Sequence, residues 1–290
     1  MPLVSVVILT KNGEKTINKC LRSLFTQHFN DFEVLMIDSG SIDKTLKIAS
    51  AFPVHIIKIK SSEFHHAKTR NLGLSCCSGK FVVFLTQDAY ASDASWLESL
   101  IQPFNNPQVA ATYSRQIPRF QTNPVERAFL FQTYPKLSRE TSSMPLEQDN
   151  PSNFVVLSDV SSAYRKELVR FNSAIEWCED QEMGLRLIQS GYEISYVPNS
   201  VVCHSHNYSF LELIKRYRAV GRAASKFSEK RYSPVKSITY AVRLFASTLS
   251  YITNDDHTNL KNFWLFYSII YNILRISAFI SGYLPKIKKG

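Results

Sequence analysis

The chain has 290 residues, 44% of them hydrophobic, with 34 Lys/Arg against 24 Asp/Glu for a formal charge of +10. That is apolar material for one large domain or two modest ones, with a sizeable core. Five cysteines (Cys20, Cys76, Cys77, Cys178, Cys203), odd in number and without Cys-x-x-Cys spacing, exclude a disulfide framework and a zinc site.

In chain order, Val4 to Thr10 is a β-branched run, read as a buried strand, and Lys11-Asn12-Gly13 is a turn. Thr16 to Gln27 carries Ile17, Leu21, Leu24 and Phe25 at helical spacing. Glu33 to Ile37 is a second strand, after which Ser41 or Asp43 caps a helix running to Ala51. Val54 to Ile59 is a third strand and His66 to Cys76 a helix. The apolar run after Lys80 makes a fourth strand ending at Asp88, with a helix near 94–104 and a strand near 109–113 beyond it. Strands alternating with helices predict a mostly parallel sheet covered on both faces. The stretch 118–153 has several prolines and little pattern, and reads as an excursion beside the active site. Phe154 to Leu157 returns to strand character, a helix opens at Glu176 and ends at Gly191, and Tyr192–Val197 and Val201–His206 are short strands.

Three strand ends carry polar residues: Thr10 with Asn12, Asp38 with Ser39, and Asp88 after Thr86-Gln87. In a parallel sheet these ends share one rim, where open α/β sheets bind ligands. The plainer alternative for Asp88 is a helix cap. Four acids stand between Glu176 and Glu182. Acids in a first turn also suit the helix dipole, which explains one or two of them better than four. His204-Ser205-His206 places two imidazoles on one face of a strand, in reach of one metal ion or simply as two polar side chains.

These pieces resemble the family-2 glycosyltransferases, which have the GT-A fold. The matching segments are Val4 to Asn12, Asp38-Ser-Gly-Ser-Ile-Asp43, Thr69-Arg-Asn-Leu-Gly73, Phe84-Leu-Thr-Gln-Asp88, Glu179-Asp-Gln-Glu182 and Val202-Cys-His-Ser-His206, in the family's order over roughly residues 3–208. Asp-Ser-Gly-Ser at 38–41, Phe-His-His-Ala-Lys-Thr-Arg-Asn at 64–71 and Thr-Gln-Asp-Ala at 86–89 are most similar to rhamnosyltransferases that use dTDP-L-rhamnose. Two positions depart from the pattern. Thr86 replaces the first Asp of the family's Asp-x-Asp, leaving one metal carboxylate, and Ala67 follows His66 where Gly is more common.

The resemblance implies an inverting, metal-dependent transfer of a sugar from a nucleotide to a saccharide acceptor. Asp88 with His204 or His206 would hold Mg²⁺ or Mn²⁺, whose charge stabilises a leaving diphosphate. Thr10, Asn12, Glu14, Asp38, Ser39 and Gln87 would line the donor side, with Arg70 and Lys68 against the phosphates. For Arg70 the plainer alternative is a surface ion pair. Asp180 would be the general base, with Glu179 and Glu182 shaping the acceptor side. The alternatives are a family-2 enzyme using a UDP-sugar and a non-catalytic sugar-nucleotide-binding protein. An NAD-dependent oxidoreductase is excluded by the turn after the first strand, which has no Gly-x-Gly-x-x-Gly.

The expected domains are a GT-A catalytic domain over 1–205, with its nucleotide-sugar half to about 115 and its acceptor half from about 116, and a helical tail over 206–290. Residues 205–290 hold 14 Lys/Arg and four acids, so the first 204 residues are neutral and the tail carries the whole surplus. Three apolar helical stretches lie in it: Tyr208 to Arg231, which is also rich in Lys and Arg, 235–252, and Phe263 to Leu284. Asn272 and Arg275 fall mid-way along the last, where a membrane span would make an Arg expensive. Helices lying in the interface on anionic headgroups therefore fit better than a span, and better than an ordinary helical subdomain. A nucleic-acid partner explains the charge but not the apolar helices. The expected place is the cytoplasm, since Met-Pro-Leu-Val enters a strand at once, on the inner face of the plasma membrane where a lipid-linked acceptor lies.

Overall fold

The computed structural model describes residues 1–136, 157–227, 234–254 and 259–284. The predicted strand at 154–157 lies outside them except for Leu157, as do Lys230, Arg231 and residues 285–290.

The elements follow the alternation read from the sequence: β1 (Val4–Thr10), α1 (Ile17–Phe25), β2 (Phe32–Asp38), α2 (Thr45–Ala49), β3 (His55–Lys58), α3 (His66–Cys76), β4 (Phe81–Leu85), β5 (Tyr90–Ala91), α4 (Trp96–Ile101) and β6 (Val109–Ile117). After α5 (Pro124–Thr133) come β7 (Ser161–Arg165), α6 (Glu179–Gln189), β8 (Glu193–Cys203) and three long helices, α7 (Phe210–Phe227), α8 (Pro234–Asn254) and α9 (Lys261–Tyr283). Lys44 stands at the N-cap of α2, and Asp43 beside it accepts the N–H of the first helical residue, Thr45, at 2.9 Å.

The eight strands form one sheet in the order β3-β2-β1-β4-β7-β6-β8-β5. β3, β2, β1 and β4 run parallel, while β7 is antiparallel to both β4 and β6. The sheet is thus more mixed than the sequence suggests. Thr10 pairs with Asp38 and Val7 with Phe84, so the C-terminal ends of β1, β2 and β4 share one rim. One face packs Val4, Val6, Ile8, Val83 and Leu85 against Ile17, Leu21 and Leu24 of α1 and Trp96, Leu97 and Leu100 of α4.

β7 is the strand the sequence does not announce. All five residues of Ser-Ser-Ala-Tyr-Arg are buried, yet it lacks an apolar run. Its hydroxyls are satisfied by other buried side chains: Ser161 Oγ lies 2.6 Å from Ser114 Oγ, and Trp96 Nε1 donates to Ser161 at 3.1 Å. β8 is one strand where two were expected, because Pro198 and Asn199 fall in a register shift opposite Ser114/Arg115 and the ladder resumes at Val201. α6 starts at Glu179 instead of Glu176, since Cys178 stands at φ +60°, in the left-handed region.

The described residues fall into two compact units. The first collects Met1–Ile117 and the described residues from 157 to His204, hence the whole sheet. The second collects Pro118–Pro135 and the described residues from Ser205 onward, which places α5 with the tail helices. In the second unit α7 and α9 cross at two glycines. A Cβ on Gly221 would run into the Phe279 carbonyl, and one on Gly282 into that of Arg218. Among the described residues, α9 is the one helix long and apolar enough to cross a membrane, with a mean hydropathy of 1.5 in its best window. Three polar residues near its middle turn inward: Ser268, Asn272 and Arg275 are buried, and Arg275 donates to Asn272 Oδ1 at 2.8 Å. Tyr271 and Ala278 are buried with them, while Phe263 at 54%, Phe266 at 64% and Ile273 at 58% exposed turn outward.

Candidate active site

The rim after β1 and β2 is held by its own polar residues. Ser39 donates through N–H and Oγ to the Thr10 carbonyl at 3.0 and 3.1 Å. Thr10 Oγ1 donates to Gln87 Oε1, which also accepts the Lys11 N–H at 3.0 Å, while Gln87 Nε2 donates to the Lys11 carbonyl at 3.1 Å. Asp38 is buried. Its carboxylate accepts the N–H groups of Gly40 and Ser41 at 3.1 and 3.0 Å and the Ser41 hydroxyl, so it closes the turn after β2. Asn12 accepts the Ile42 N–H at 3.0 Å and Glu14 the Lys44 N–H at 3.1 Å, and both remain exposed. The structure brings all of these donor-side candidates together. It gives Thr10, Asp38, Ser39 and Gln87 a first task of holding two loops in register. Lys68 is exposed in the first turn of α3.

Asp88 and His204 meet across the sheet, with His204 Nε2 3.6 Å from Asp88 Oδ2. The other ring nitrogen, Nδ1, lies 3.1 Å from Gln116 Oε1. Gln116 in turn donates through Nε2 to Ser158 Oγ at 3.1 Å, which turns its carbonyl oxygen toward the imidazole. With Gln116 Oε1 at Nδ1, the tautomer protonated on Nδ1 is the one that would present an Nε2 lone pair on the Asp88 side. A carboxylate oxygen and an imidazole lone pair at this separation suit two neighbouring ligands of one divalent ion. His206 follows two residues on, in the second unit.

The acids of α6 meet Arg70 and an Asp that the sequence reading passes over. Arg70, on α3, was read as a phosphate contact or a surface ion pair. It is buried, and its guanidinium engages Glu179 through Nη1 and Asp159 through Nε, the latter at 2.7 Å. Asp159 Oδ1 accepts the hydroxyls of Ser162 and Tyr164, each at 2.6 Å. The Asp159 N–H donates to Asp180 Oδ2 at 3.1 Å, and the Gln181 N–H to Asp180 Oδ1 at 2.9 Å. Three carboxylates thus surround one guanidinium. Burial, and then the charges of Asp159 and Glu179, push the Asp180 carboxyl up to about 7, against the opposing pull of Arg70 and the Asp159 N–H. Burial raises Glu179 as well, with Arg70 opposing. Asp180 nevertheless keeps part of its surface exposed. Glu182 turns away along the helix, accepting Arg186 Nε at 2.9 Å.

The turn Ser158-Asp159 links the two groups. Its Ser158 side holds Gln116 and through it His204 and Asp88, and its Asp159 side holds Asp180 and Arg70. The turn stands there because β7 pairs antiparallel with β4 and the Thr86 N–H donates to the Val160 carbonyl at 3.1 Å. A group able to share a cation and a carboxylate able to take a proton near neutral pH are the parts an acid–base group transfer needs.

Residues 5–170 match the family model described as Glycosyl transferase family 2. The chain is 33% identical over 232 residues to the O-antigen chain rhamnosyltransferase WbaN of Salmonella anatum, covering 76% of this chain and 72% of that one. It is 32% identical over 224 residues to the O-antigen chain rhamnosyltransferase RfbN of Salmonella typhimurium, covering 75% and 71%. Among solved structures, the mannosyltransferase PcManGT from Pyrobaculum calidifontis, in complex with GDP-Man and Mn²⁺, has a TM-score of 0.63 at 14% identity over 97% of this chain and 86% of that one. TarS 1–349 of S. aureus in complex with UDP-GlcNAc has a TM-score of 0.56 at 16% identity, covering 96% and 90%. These two carry the fold, which is the GT-A type that the motifs imply. With more than half its length matched by the family model and about a third of its aligned residues shared with two rhamnosyltransferases, the chain belongs to glycosyltransferase family 2, close to the O-antigen chain rhamnosyltransferases.

Proposed function

We propose that this glycosyltransferase moves L-rhamnose from dTDP-L-rhamnose to a lipid-linked saccharide, with inversion, during synthesis of a cell-surface polysaccharide. The observation that carries the reading is Asp180. It is a partly exposed carboxyl pushed up to about 7 by burial and then by two neighbouring acids, tied through Ser158-Asp159 to the Asp88–His204 pair. The names of the Salmonella relatives support the sugar.

In the reaction the acceptor oxygen attacks the anomeric carbon as the bond to the diphosphate oxygen breaks. The hydroxyl proton passes to Asp180, and the diphosphate leaves with the bonding electrons. Attack from the face opposite the leaving group inverts the anomeric centre, so a β-linked donor gives an α-rhamnoside. Arg70 fixes Glu179 and Asp159 on either side of the base. Asp88 and His204 are the residues to hold Mg²⁺ or Mn²⁺, which when bound supplies positive charge against the departing diphosphate. Lys68, exposed on α3, is placed in this reading on the phosphates. Asn12 and Glu14 are the exposed donor-side groups for nucleobase and ribose, on a rim that Thr10, Asp38, Ser39 and Gln87 hold in shape.

The second unit is the membrane-docking part in this reading, placing a cytoplasmic enzyme on the inner face of the plasma membrane. Two features support this: the basic surplus of residues 205–290, and an α9 that buries Asn272 and Arg275 while Phe263, Phe266 and Ile273 face out. Flotation with anionic vesicles, and less with neutral ones, is the expected result. Failure to float with either removes the docking role.

The donor is tested by incubating the protein and Mn²⁺ with dTDP-L-rhamnose, a UDP-hexose or a GDP-hexose, plus a panel of polyprenyl-diphosphate-linked monosaccharides. Diphosphonucleoside release with rhamnosyl product only from the dTDP donor supports the reading. Product from a UDP- or GDP-sugar alone overturns the donor assignment, and release with no glycoside formed overturns transfer.

A further inference from the structure

Immediately before the base the chain makes an unusual move. Cys178, an L-residue, stands at φ +60°, and the bend sets Trp177 outside the helix that carries Glu179 and Asp180. Trp177 is 36% exposed. Its ring lies 5.7 Å from that of His66, and His66 lies 4.9 Å from Phe64, edge to face. The His66 side chain is 38% exposed, with Nδ1 3.8 Å from Glu179 Oε1. Two segments distant in sequence, the start of α3 and the approach to α6, thus bring three aromatic rings together beside the acid cluster. An indole that served only as core would lie under other side chains, as Trp96 does with no exposed surface.

We propose that Phe64, His66 and Trp177 form the subsite for the acceptor's reacting sugar. The inference rests on the transfer reaction above. One face of a pyranose ring is lined by C–H groups made slightly positive by the attached oxygens, and it suits the negative face of an aromatic ring. The same sugar's hydroxyls need polar partners at the edge of the platform. Trp177 supplies the first surface, and His66, with Glu179 behind it, supplies the second. A sugar lying on Trp177 brings its hydroxyls toward Asp180, three residues along the chain. The ligand class is therefore a neutral hexopyranose, recognised by its C–H face.

Two measurements test this. Saturation-transfer NMR is recorded with the protein and the methyl α-glycosides of galactose, glucose, mannose and rhamnose. At least one glycoside should show saturation strongest on the protons of a single ring face. Trp177→Phe should keep that pattern, while Trp177→Ala and Phe64→Leu should weaken it, with melting temperatures checked in parallel. In transfer assays, Trp177→Ala should raise the acceptor KM about tenfold or more while the affinity for dTDP stays as in the wild type. No face-selective saturation in the wild type, or an unchanged acceptor KM in Trp177→Ala, overturns the subsite. So does a loss of dTDP affinity in that variant, which would assign the rings to the donor base. Face-selective saturation without any rhamnosyl product would instead overturn the transfer reaction and leave a sugar-binding platform standing.

Discussion

Replacing Asp180 by Asn separates what this residue does for the fold from what it does for the reaction. Its carboxyl is raised from 3.8 to about 7 by burial and by Asp159 and Glu179. A carboxyl whose folded value lies above its unfolded one favours the fold below the unfolded value, and that advantage is lost as pH rises through the folded value. The raised value therefore opposes folding by about 4 kcal/mol at pH 8, where Asp180 is ionised in place, and by about 2 kcal/mol at pH 5, where it stays protonated while the unfolded carboxyl ionises. Asn keeps an oxygen for the Asp159 N–H but loses the acceptor now facing Gln181 N–H, a loss of about 1 kcal/mol. The net expectation is a variant about 2–3 kcal/mol more stable than wild type at pH 8, with a smaller gain at pH 5. The rise in melting temperature is ~2–4 °C per kcal/mol. Transfer should fall about 10²- to 10⁴-fold, with dTDP affinity retained. Thermal melts at the two pH values, alongside product formation from dTDP-L-rhamnose, provide the readout. Equal melting temperatures at pH 8 would refute the assigned electrostatics, and transfer within a few-fold of wild type would refute the role as base.

Other perturbations follow from the same contacts. Gln116→Leu removes the partner that fixes the His204 ring, and Mn²⁺ affinity measured calorimetrically with dTDP should fall about 10- to 100-fold; unchanged affinity would mean that His204 is not a ligand. Arg70→Met leaves Glu179 and Asp159 buried without their cation and should destabilise by about 3–5 kcal/mol at pH 8. Because Glu179 sits above its ordinary range, part of that loss should return as the pH falls toward 5, which denaturant titrations at both pH values would show. Gly282→Val forces α7 and α9 apart and should cost the fold roughly 3 kcal/mol by chemical denaturation. Phe266→Glu combined with Ile273→Glu places charge on the outward face of α9 and should reduce recovery with anionic vesicles while leaving the melting temperature within a few degrees of wild type.

Much of the sheet is legible in the sequence because β4 is a continuous apolar run and β1 is one interrupted only by Ser5, as strands buried on both faces are. β7 is not, because Ser161 and Ser162 are buried by pairing with other hydroxyls and with Asp159, a solution that leaves no hydrophobic pattern. That omission hides the residue on which the site turns. Asp159 looks like a loop aspartate, and its only local signals are Ser162 three residues on and Tyr164 five residues on, both of which donate to it. The charge of Arg70 is visible, but its partner Glu179 lies 109 residues away and becomes adjacent only through the fold. Asp88, His204 and Asp180 could be named in advance because their residue types are restricted by the chemistry. Gln116 could not, since a glutamine near the end of a strand carries no such restriction. In the tail, Asn272 and Arg275 interrupt the apolar pattern of α9, and the structure explains the interruption by turning both inward.

The central claim is that a cation site at Asp88 and His204 and a proton acceptor at Asp180 serve one sugar. A crystal structure of the protein with Mn²⁺ and dTDP-L-rhamnose tests it most directly. The account predicts the ion on Asp88 and His204, the diphosphate against it, and the anomeric carbon opening toward Asp180 with Trp177 flanking the approach. An ion bound elsewhere, or a rhamnose whose anomeric carbon is walled off from Asp180, would contradict it.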